Sequence, residues 1–299
     1  MSLQQTAVPT VNVDGSAISS SSSTTLGRRF RVLYPPIRAT EVSGALLAVP
    51  RSEQRTTAAM ARAAVKRGVD IVLSFVLLVA VAPLFAALAL AIKLDSPGPV
   101  FYRARRVGFR GRPMQMLKFR KMRHDAVGLA LTAHGDLRFT RIGSFLAHTK
   151  LDELPQLWNV VRGDMSLIGP RPEDPEFVLL HADAYVDILG IRPGITGLSQ
   201  VAFREESRIL NAEDPLTHYL ERILPQKMRL DRIYATGYRL RLDLHIFVWT
   251  FITVFASRPV AVHRETGRMN LRRRRWPQGD TSATTPTVSV AAQSNRTPV

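Results

Sequence analysis

Two adjacent carboxylates carry the clearest promise of chemistry: Asp152 and Glu153, in the run Thr149-Lys150-Leu151-Asp152-Glu153-Leu154-Pro155-Gln156-Leu157-Trp158-Asn159. Proline is tolerated in the first turn of a helix, so Pro155 sets a helix start near Leu151 or Asp152. The pair then stands beside N–H groups that lack intrahelical partners, where negative charge is favoured and a carboxylate pKa falls. Such a carboxylate serves as a metal ligand or as an acceptor for a phosphoryl group. The same position also suits an Asp that only caps the helix. Two further stretches invite phosphate. Val161 to Pro172 holds Gly163, Asp164, Ser166, Gly169, Pro170 and Arg171; Ile191 to Gln200 holds Arg192, Pro193, Gly194, Thr196 and Gly197. Each reads as a rigid Gly/Pro-braced loop with an arginine, and neither has the spacing of a Walker A loop. Taken singly, a turn-rich connector explains them equally well.

The elements that must position these residues include an unusual one. Val69 to Leu94 is apolar apart from Asp70, Ser74 and Lys93. At a helical rise of about 1.5 Å per residue it reaches roughly 39 Å, enough to cross a hydrocarbon core. Pro83 interrupts it, and a proline inside a helix kinks or breaks it. Both flanks are basic: Arg62, Lys66 and Arg67 before, Lys93, Arg103, Arg105, Arg106 and Arg110 after. Positive flanks mark the cytoplasmic side, which one crossing cannot offer at both ends. A helix–break–helix hairpin entering and leaving on one face satisfies both; an ordinary tilted span is the alternative. After it, Val100–Tyr102 and Met114–Phe119 read as short strands around a Gly/Pro turn. Residues 139–162 and 214–237 read as amphipathic helices. Leu244–Phe255 is apolar but too short to span, hence buried or lying in the membrane interface.

The 299 residues contain no cysteine, which excludes disulfides, thiolate zinc sites, iron–sulfur clusters and cysteine nucleophiles. The net charge of +17 calls for a polyanion: nucleic acid, an acidic membrane surface or phosphorylated substrates. Its placement favours the last two. Residues 62–123 carry thirteen Lys/Arg against two acids, a net of +11, whereas 124–257 carry fourteen against seventeen, a net of −3. The basic excess gathers beside the apolar segment, as an anionic-lipid contact would require, and the nucleic-acid reading weakens. Residues 1–57 and 258–299, the latter with Arg272 to Arg275 in a row, read as disordered tails around a domain at 58–257.

In order along the chain, several motifs resemble one family. They are Lys66-Arg67-x-x-Asp70 leading into the apolar segment; Asp95-Ser96-Pro97-Gly98-Pro99-Val100-Phe101; Arg105-Arg106-Val107-Gly108; and Leu117-Lys118-Phe119-Arg120-Lys121-Met122. Leu151-Asp152-Glu153-Leu154-Pro155, Gly163-Asp164-Met165-Ser166-Leu167-Ile168-Gly169-Pro170-Arg171-Pro172 and Arg192-Pro193-Gly194-Ile195-Thr196-Gly197 complete the series. The chain resembles the bacterial sugar transferases, monotopic polyprenyl-phosphate sugar-1-phosphate transferases also called phosphoglycosyl transferases. The resemblance covers about residues 60–257 and points to a small, core-only form, since the N-terminal stretch is too short for an extra multi-span domain.

The resemblance implies a mainly α fold with a few short β-strands, a re-entrant helix and a cytoplasmic catalytic domain on the bacterial inner membrane. It makes Asp152 the nucleophile and Glu153 a ligand of Mg²⁺, assisted by Asp231, whose bland reading is a solvated helix acid. Arg171, Arg192 and Arg120 are then the phosphate contacts, and Asp70 pairs with Lys66 or Arg67. The hairpin break falls at Pro83, preceded by Ala82 where the family has serine. The implied substrates are a nucleotide-sugar, expected to be a UDP-sugar, and a polyprenyl phosphate, expected to be undecaprenyl phosphate. After Gly197 the sequence (Leu198-Ser199-Gln200-Val201) leaves the family pattern, so the sugar stays open. Two rivals remain: a membrane-anchored basic binding protein without chemistry, and a glycosyltransferase that makes the glycosidic bond directly.

Overall fold

A computed structural model describes residues 57–126, 131–132, 136–210, 214–237, 239–255 and 260–271. The segment 1–56, with its apolar stretch 44–50, and the basic run Arg272 to Arg275 lie outside the described residues. The remainder is mainly helical with short strands, as expected. Helix α1 spans Thr57–Asp95 and leads into an antiparallel hairpin, β1 (Phe101–Val107) with β2 (Pro113–Phe119), in the register Phe101 opposite Phe119.

The stretch read as one helix over 139–162 is two. Helix α2 (Arg141–Thr149) ends at Lys150, which adopts the left-handed φ of 63°; a 3-10 turn, Leu151–Glu153, follows, then α3 (Gln156–Arg162). The expected helix start at Leu151 is thus a 3-10 start, and it carries both carboxylates. The two loops expected beyond it pair as parallel strands, β3 (Ser166–Ile168) with β4 (Gly194–Thr196). Their approach is so close that a side chain on Gly194 would collide with the Gly169 backbone. Helices α4 (Pro175–Leu180) and α5 (Ala182–Leu189) lie between them; α6 (Leu198–Ala202) and α7 (Glu206–Ile209) follow. The helical expectation for 214–237 holds: α8 (Pro215–His218) passes through a π turn into α9 (Leu224–Thr236).

The apolar stretch expected at Leu244–Phe255 lies in helix α10 (Leu240–Phe255), which is buried on one side and exposed on the other. Ile246 is fully buried, while Leu244, Phe247, Val248 and Phe251 are exposed. Residues 260–271, assigned from composition to a disordered tail, instead form a hairpin, β5 (Val260–Val262) with β6 (Met269–Leu271). Val260 is buried in a cluster with Ile168, Leu198, Val201, Leu230, Tyr234 and Ile246. That apolar anchor was hidden among the prolines and arginines of the tail.

Helix α1 is one continuous helix across Pro83, not two helices parted by a break. A proline removes one hydrogen bond and kinks a helix without ending it when the neighbouring turns hold. Both ends of α1 grip the same domain. Near the start, Lys66 Nζ is 2.9 Å from Asp243 Oδ2 on α10 and 3.6 Å from Asp70, as anticipated for Asp70. Arg67 donates to the carbonyls of Val160 in the last turn of α3 and of Met165 just beyond it, and Ser166 Oγ donates to Asp70 at 2.7 Å. At the far end Leu88 and Ile92 are buried against Phe119 and Leu146. Asp95 accepts from the Ile142 N–H at the start of α2, and Thr140 accepts from Gly143. Between these anchors, Val79, Ala80 and Ala82 to Leu84 are exposed.

Arg120 secures the far anchor. It is 6% exposed and donates to the carbonyls of Pro97 (2.6 Å) and Ser96 (2.7 Å) and to Ser96 Oγ (2.8 Å). Its fork was expected on phosphate; here it closes the carbonyl-rich end of α1, where cations are favoured. Arg120→Met is expected to lower stability by about 2–4 kcal/mol, since buried carbonyls lose charge-assisted donors. Urea unfolding in detergent, followed by tryptophan emission, measures it.

Candidate functional site

Asp152 is placed by a chain of short constraints. The end of α1 caps the start of α2; α2 stops at left-handed Lys150; the 3-10 turn then points Asp152 inward, where it is 1% exposed. Gly143 lets α2 press on the Lys121 carbonyl, a contact that any side chain there would block. That contact fixes the backbone of Lys121 opposite the turn. Asn159 clamps the other side. Its Oδ1 accepts from Leu117 N–H (2.9 Å) and its Nδ2 donates to Gln115 O (2.8 Å), tying α3 to the edge of β2.

The result is a carboxylate pair ringed by cations. Lys121 Nζ is 3.3 Å from Asp152 Oδ2, at an angle that makes no hydrogen bond, so Oδ2 is buried without a hydrogen-bond partner among the described residues. Glu153 is engaged on both oxygens: Arg171 forks it at 2.7 and 3.4 Å, and Lys118 reaches Oε1 at 3.1 Å. Burial alone would raise the Glu153 pKa, but Arg171 and Lys118 outweigh it and hold the carboxyl well below its usual range. Arg171 is shifted up, chiefly by Glu153. Lys118 is pushed down to about 8, chiefly by burial, with Glu153 opposing and Arg171 reinforcing the shift.

These groups open on a cavity of about 2060 Å³, lined by Lys118, Lys121, Asp152, Glu153 and Arg171 at one part and by residues of α1, α6 and α10 elsewhere. Of the residues singled out from sequence, Asp152, Glu153 and Arg171 converge. Arg120 borders the cavity with both terminal nitrogens donating just past the end of α1 and its Nε buried without a hydrogen-bond partner among the described residues. Arg192 stands outside the lining, its Nε donating to Gly163 O at 3.2 Å and its guanidinium 5.1 Å over the Phe109 ring. Asp231 is one layer behind: it is 5% exposed and accepts from Ser199 Oγ at 2.6 Å and from the Arg171 backbone N–H. Burial pushes its carboxyl up to about 7, despite Ser199 and Lys227. It is neither a solvated helix acid nor a neighbour of Glu153 in a metal cage; no cluster of three acid or histidine side chains suited to a metal occurs among the described residues.

Sequence reasoning missed Lys118 and Lys121 as members of the site. They stood inside a quoted motif, but their partners lie more than thirty positions on, across the β2–turn contact. Lys118 makes the site sensitive to pH. It is charged below about 8 and neutral above, so Glu153 loses one of its two cations as pH rises through that value. Activity is expected to fall above pH ~8, and Lys118→Arg, which keeps its charge, to shift that limb upward. The stability sign is opposite. Between about 8 and its ordinary value of 10.5 the folded Lys118 holds fewer protons than the unfolded one, so this group's penalty, full below 8, is relieved as pH rises.

The sequence of residues 61–257 matches the family model described as bacterial sugar transferase. Similar proteins include the UDP-glucose:undecaprenyl-phosphate glucose-1-phosphate transferase of Xanthomonas campestris pv. campestris, 38% identical over 63% of this chain and 38% of that one. The UDP-N-acetylgalactosamine-undecaprenyl-phosphate N-acetylgalactosaminephosphotransferase of Aeromonas hydrophila is 37% identical over 64% of this chain and 44% of its own length. The exopolysaccharide production protein PSS of Rhizobium leguminosarum bv. phaseoli is 41% identical over 46% of this chain and 72% of its own. The chain thus spans about two-fifths of the length of the first two relatives. With a match running from the first turns of α1 to the end of α10, and the acid pair, its cations and the apolar helix all inside it, the chain belongs to the bacterial sugar transferase family.

Proposed function

We propose that this protein transfers a sugar-1-phosphate from a nucleotide-sugar, of the UDP class, to a polyprenyl phosphate such as undecaprenyl phosphate, and so begins an exopolysaccharide or other surface glycan. The observation that carries this reading is Asp152: a buried carboxylate 3.3 Å from Lys121 Nζ, lining a cavity whose wall also supplies Lys118, Lys121 and Arg171. A carboxylate reaches an anionic phosphorus only where cations screen the repulsion. The Asp152 carboxylate attacks the sugar-bearing phosphorus; the bond to the bridging oxygen breaks and the nucleoside monophosphate leaves with that electron pair. An oxygen of the polyprenyl phosphate then attacks the same phosphorus, the acyl–phosphate bond breaks, and Asp152 returns as a carboxylate with polyprenyl-diphospho-sugar as product. Two displacements through one enzyme-bound phosphosugar make the kinetics ping-pong.

Mg²⁺ belongs to the same proposal. Such an ion takes one or two carboxylates and leaves its other positions to water and substrate phosphates. The adjacent Asp152 and Glu153, both lining the cavity, suit that mode, whereas Asp231, bonded to Ser199 outside the lining, does not. When bound with the donor, the ion would neutralise diphosphate charge and polarise the leaving group. Arg171 and Lys118 meanwhile keep Glu153 ionised.

The apolar middle of α1, with both ends gripped by one domain, supports a re-entrant seat on the cytoplasmic face of the inner membrane, its basic collar against anionic headgroups. Cysteines introduced at Arg62 and Lys93 are expected to react with impermeant maleimide from the same side of sealed vesicles; opposite sides would mean a span. The activity itself is tested with radiolabelled nucleotide-sugars and polyprenyl phosphate. Labelled diphospholipid and released nucleoside monophosphate are expected, whereas release of nucleoside diphosphate would indicate direct glycosyl transfer.

A further inference from the structure

The cavity that holds Asp152 exceeds what one donor needs, and its lining changes character along its length. Sites for single small ligands enclose ~300–1,000 Å³; this one encloses about 2060 Å³. Around Asp152 the wall is cationic, with Lys118, Lys121 and Arg171. The lining also holds apolar side chains, Leu77 and Val81 from the middle of α1 and Phe247 and Phe251 from α10, with Arg204 reaching the Val254 carbonyl of α10. Phe247 and Phe251 are 46% and 57% exposed and stand one turn apart on a single face. Phe101 also lines the cavity and stacks at 5.5 Å on Phe119, which sits in β2 next to Lys118.

A nucleotide-sugar is charged or hydroxylated over most of its length, and only its base offers a face to an aromatic ring. An amphiphile with a phosphate head and a hydrocarbon tail matches both parts. Between Asp70 and Lys93 α1 carries no charged side chain, so a tail lying along it meets no charge to desolvate. Resting on the activity proposed above, we infer that the isoprene units nearest the acceptor's phosphate lie against two apolar faces, Leu77 and Val81 on α1 and Phe247 and Phe251 on α10. The phosphate then meets Lys121 at Asp152. The donor occupies the polar part of the cavity and the lipid the apolar part, so the two substrates reach one phosphorus from different directions.

The ping-pong scheme separates this inference from the activity beneath it. Exchange of labelled nucleoside monophosphate into the nucleotide-sugar requires Asp152 and the donor but no lipid. The double variant Phe247→Ser/Phe251→Ser, and independently Leu77→Ala/Val81→Ala from the facing wall, are compared with wild type in detergent. Each is expected to keep exchange while raising KM about tenfold or more for both undecaprenyl phosphate and farnesyl phosphate, because apolar contact with the tail is lost. Unchanged KM for farnesyl phosphate would overturn the inference. If vesicle flotation fell at the same time, the α10 face would be a contact with the bilayer surface instead. Loss of exchange in both variants would also overturn it, by assigning these positions to the donor or to the fold. Absence of exchange in wild type would overturn the activity itself.

Discussion

Asp152→Asn is expected to abolish the enzyme-bound phosphosugar and to lower turnover by at least about 10³-fold, because a carboxamide is not a nucleophile toward phosphorus. The substitution keeps shape while removing charge. Its structural cost is small: the carboxylate has one close cationic partner, Lys121, whose side chain is 25% exposed and can turn to water. Melting temperature is therefore expected to move by only a few degrees. Two measurements decide the matter: intact-protein mass after incubation with the nucleotide-sugar alone, and exchange of labelled nucleoside monophosphate. Wild type should gain the mass of one phosphosugar and catalyse exchange; Asp152→Asn should do neither. A variant that still exchanges would remove the covalent mechanism, since exchange has no other route in it.

Arg171→Ala is expected to have the second-largest effect, a fall of about 10²–10³ in kcat/KM for the donor. Arg171 does two things at once. Its fork holds Glu153 at 2.7 and 3.4 Å, and its charge faces the cavity. Without it only Lys118 and Lys150 oppose the burial of Glu153, so the Glu153 pKa rises. A single charge at that place is not enough: Arg171→Lys should recover only part of the loss, because an ammonium cannot donate two parallel hydrogen bonds. Stability should fall by about 2–3 kcal/mol, at the low end for breaking a buried pair because both side chains keep some exposure. The cycle of Arg171→Ala, Glu153→Gln and the double variant separates the two roles. Coupling in unfolding free energy reports the ion pair; activity lost beyond that in the Glu153→Gln background reports contact with substrate phosphate.

How much of this was legible in sequence can be followed residue by residue. Asp152, Glu153 and Arg171 were readable because the residues that position them are close in the chain: Pro155 sets the turn, and the Gly-Pro-Arg-Pro run is rigid by composition. Arg120 and Arg192 carried the same residue type in equally suggestive motifs, yet their donors serve the end of α1 and the Gly163 turn. A guanidinium meets whatever carbonyl or phosphate is nearest, and nearness here depends on contacts between distant segments. Lys150 shows the same limit on a local scale, since a left-handed lysine that divides a helix in two has no signature in periodicity. Asp231 was expected beside the metal, and its carboxylate accepts from Ser199 Oγ and the Arg171 N–H, outside the cavity lining.

What the sequence determined by itself is whatever depends on composition and local spacing. That includes a long apolar helix flanked by positive charge, the strand at Met114–Phe119, the helical character of 214–237, a cysteine-free chemistry and an acid pair at a helical start. The +17 charge belongs to this group, because its gathering beside α1 is visible by counting. Tertiary structure alone decided which cations face the acid pair, that both ends of α1 are held by one domain, that the 260–271 hairpin belongs to the core, and that apolar and cationic walls share a cavity. Each of these is a contact between segments tens of residues apart. Such contacts are selected by the burial of the whole, not by the preferences of either segment.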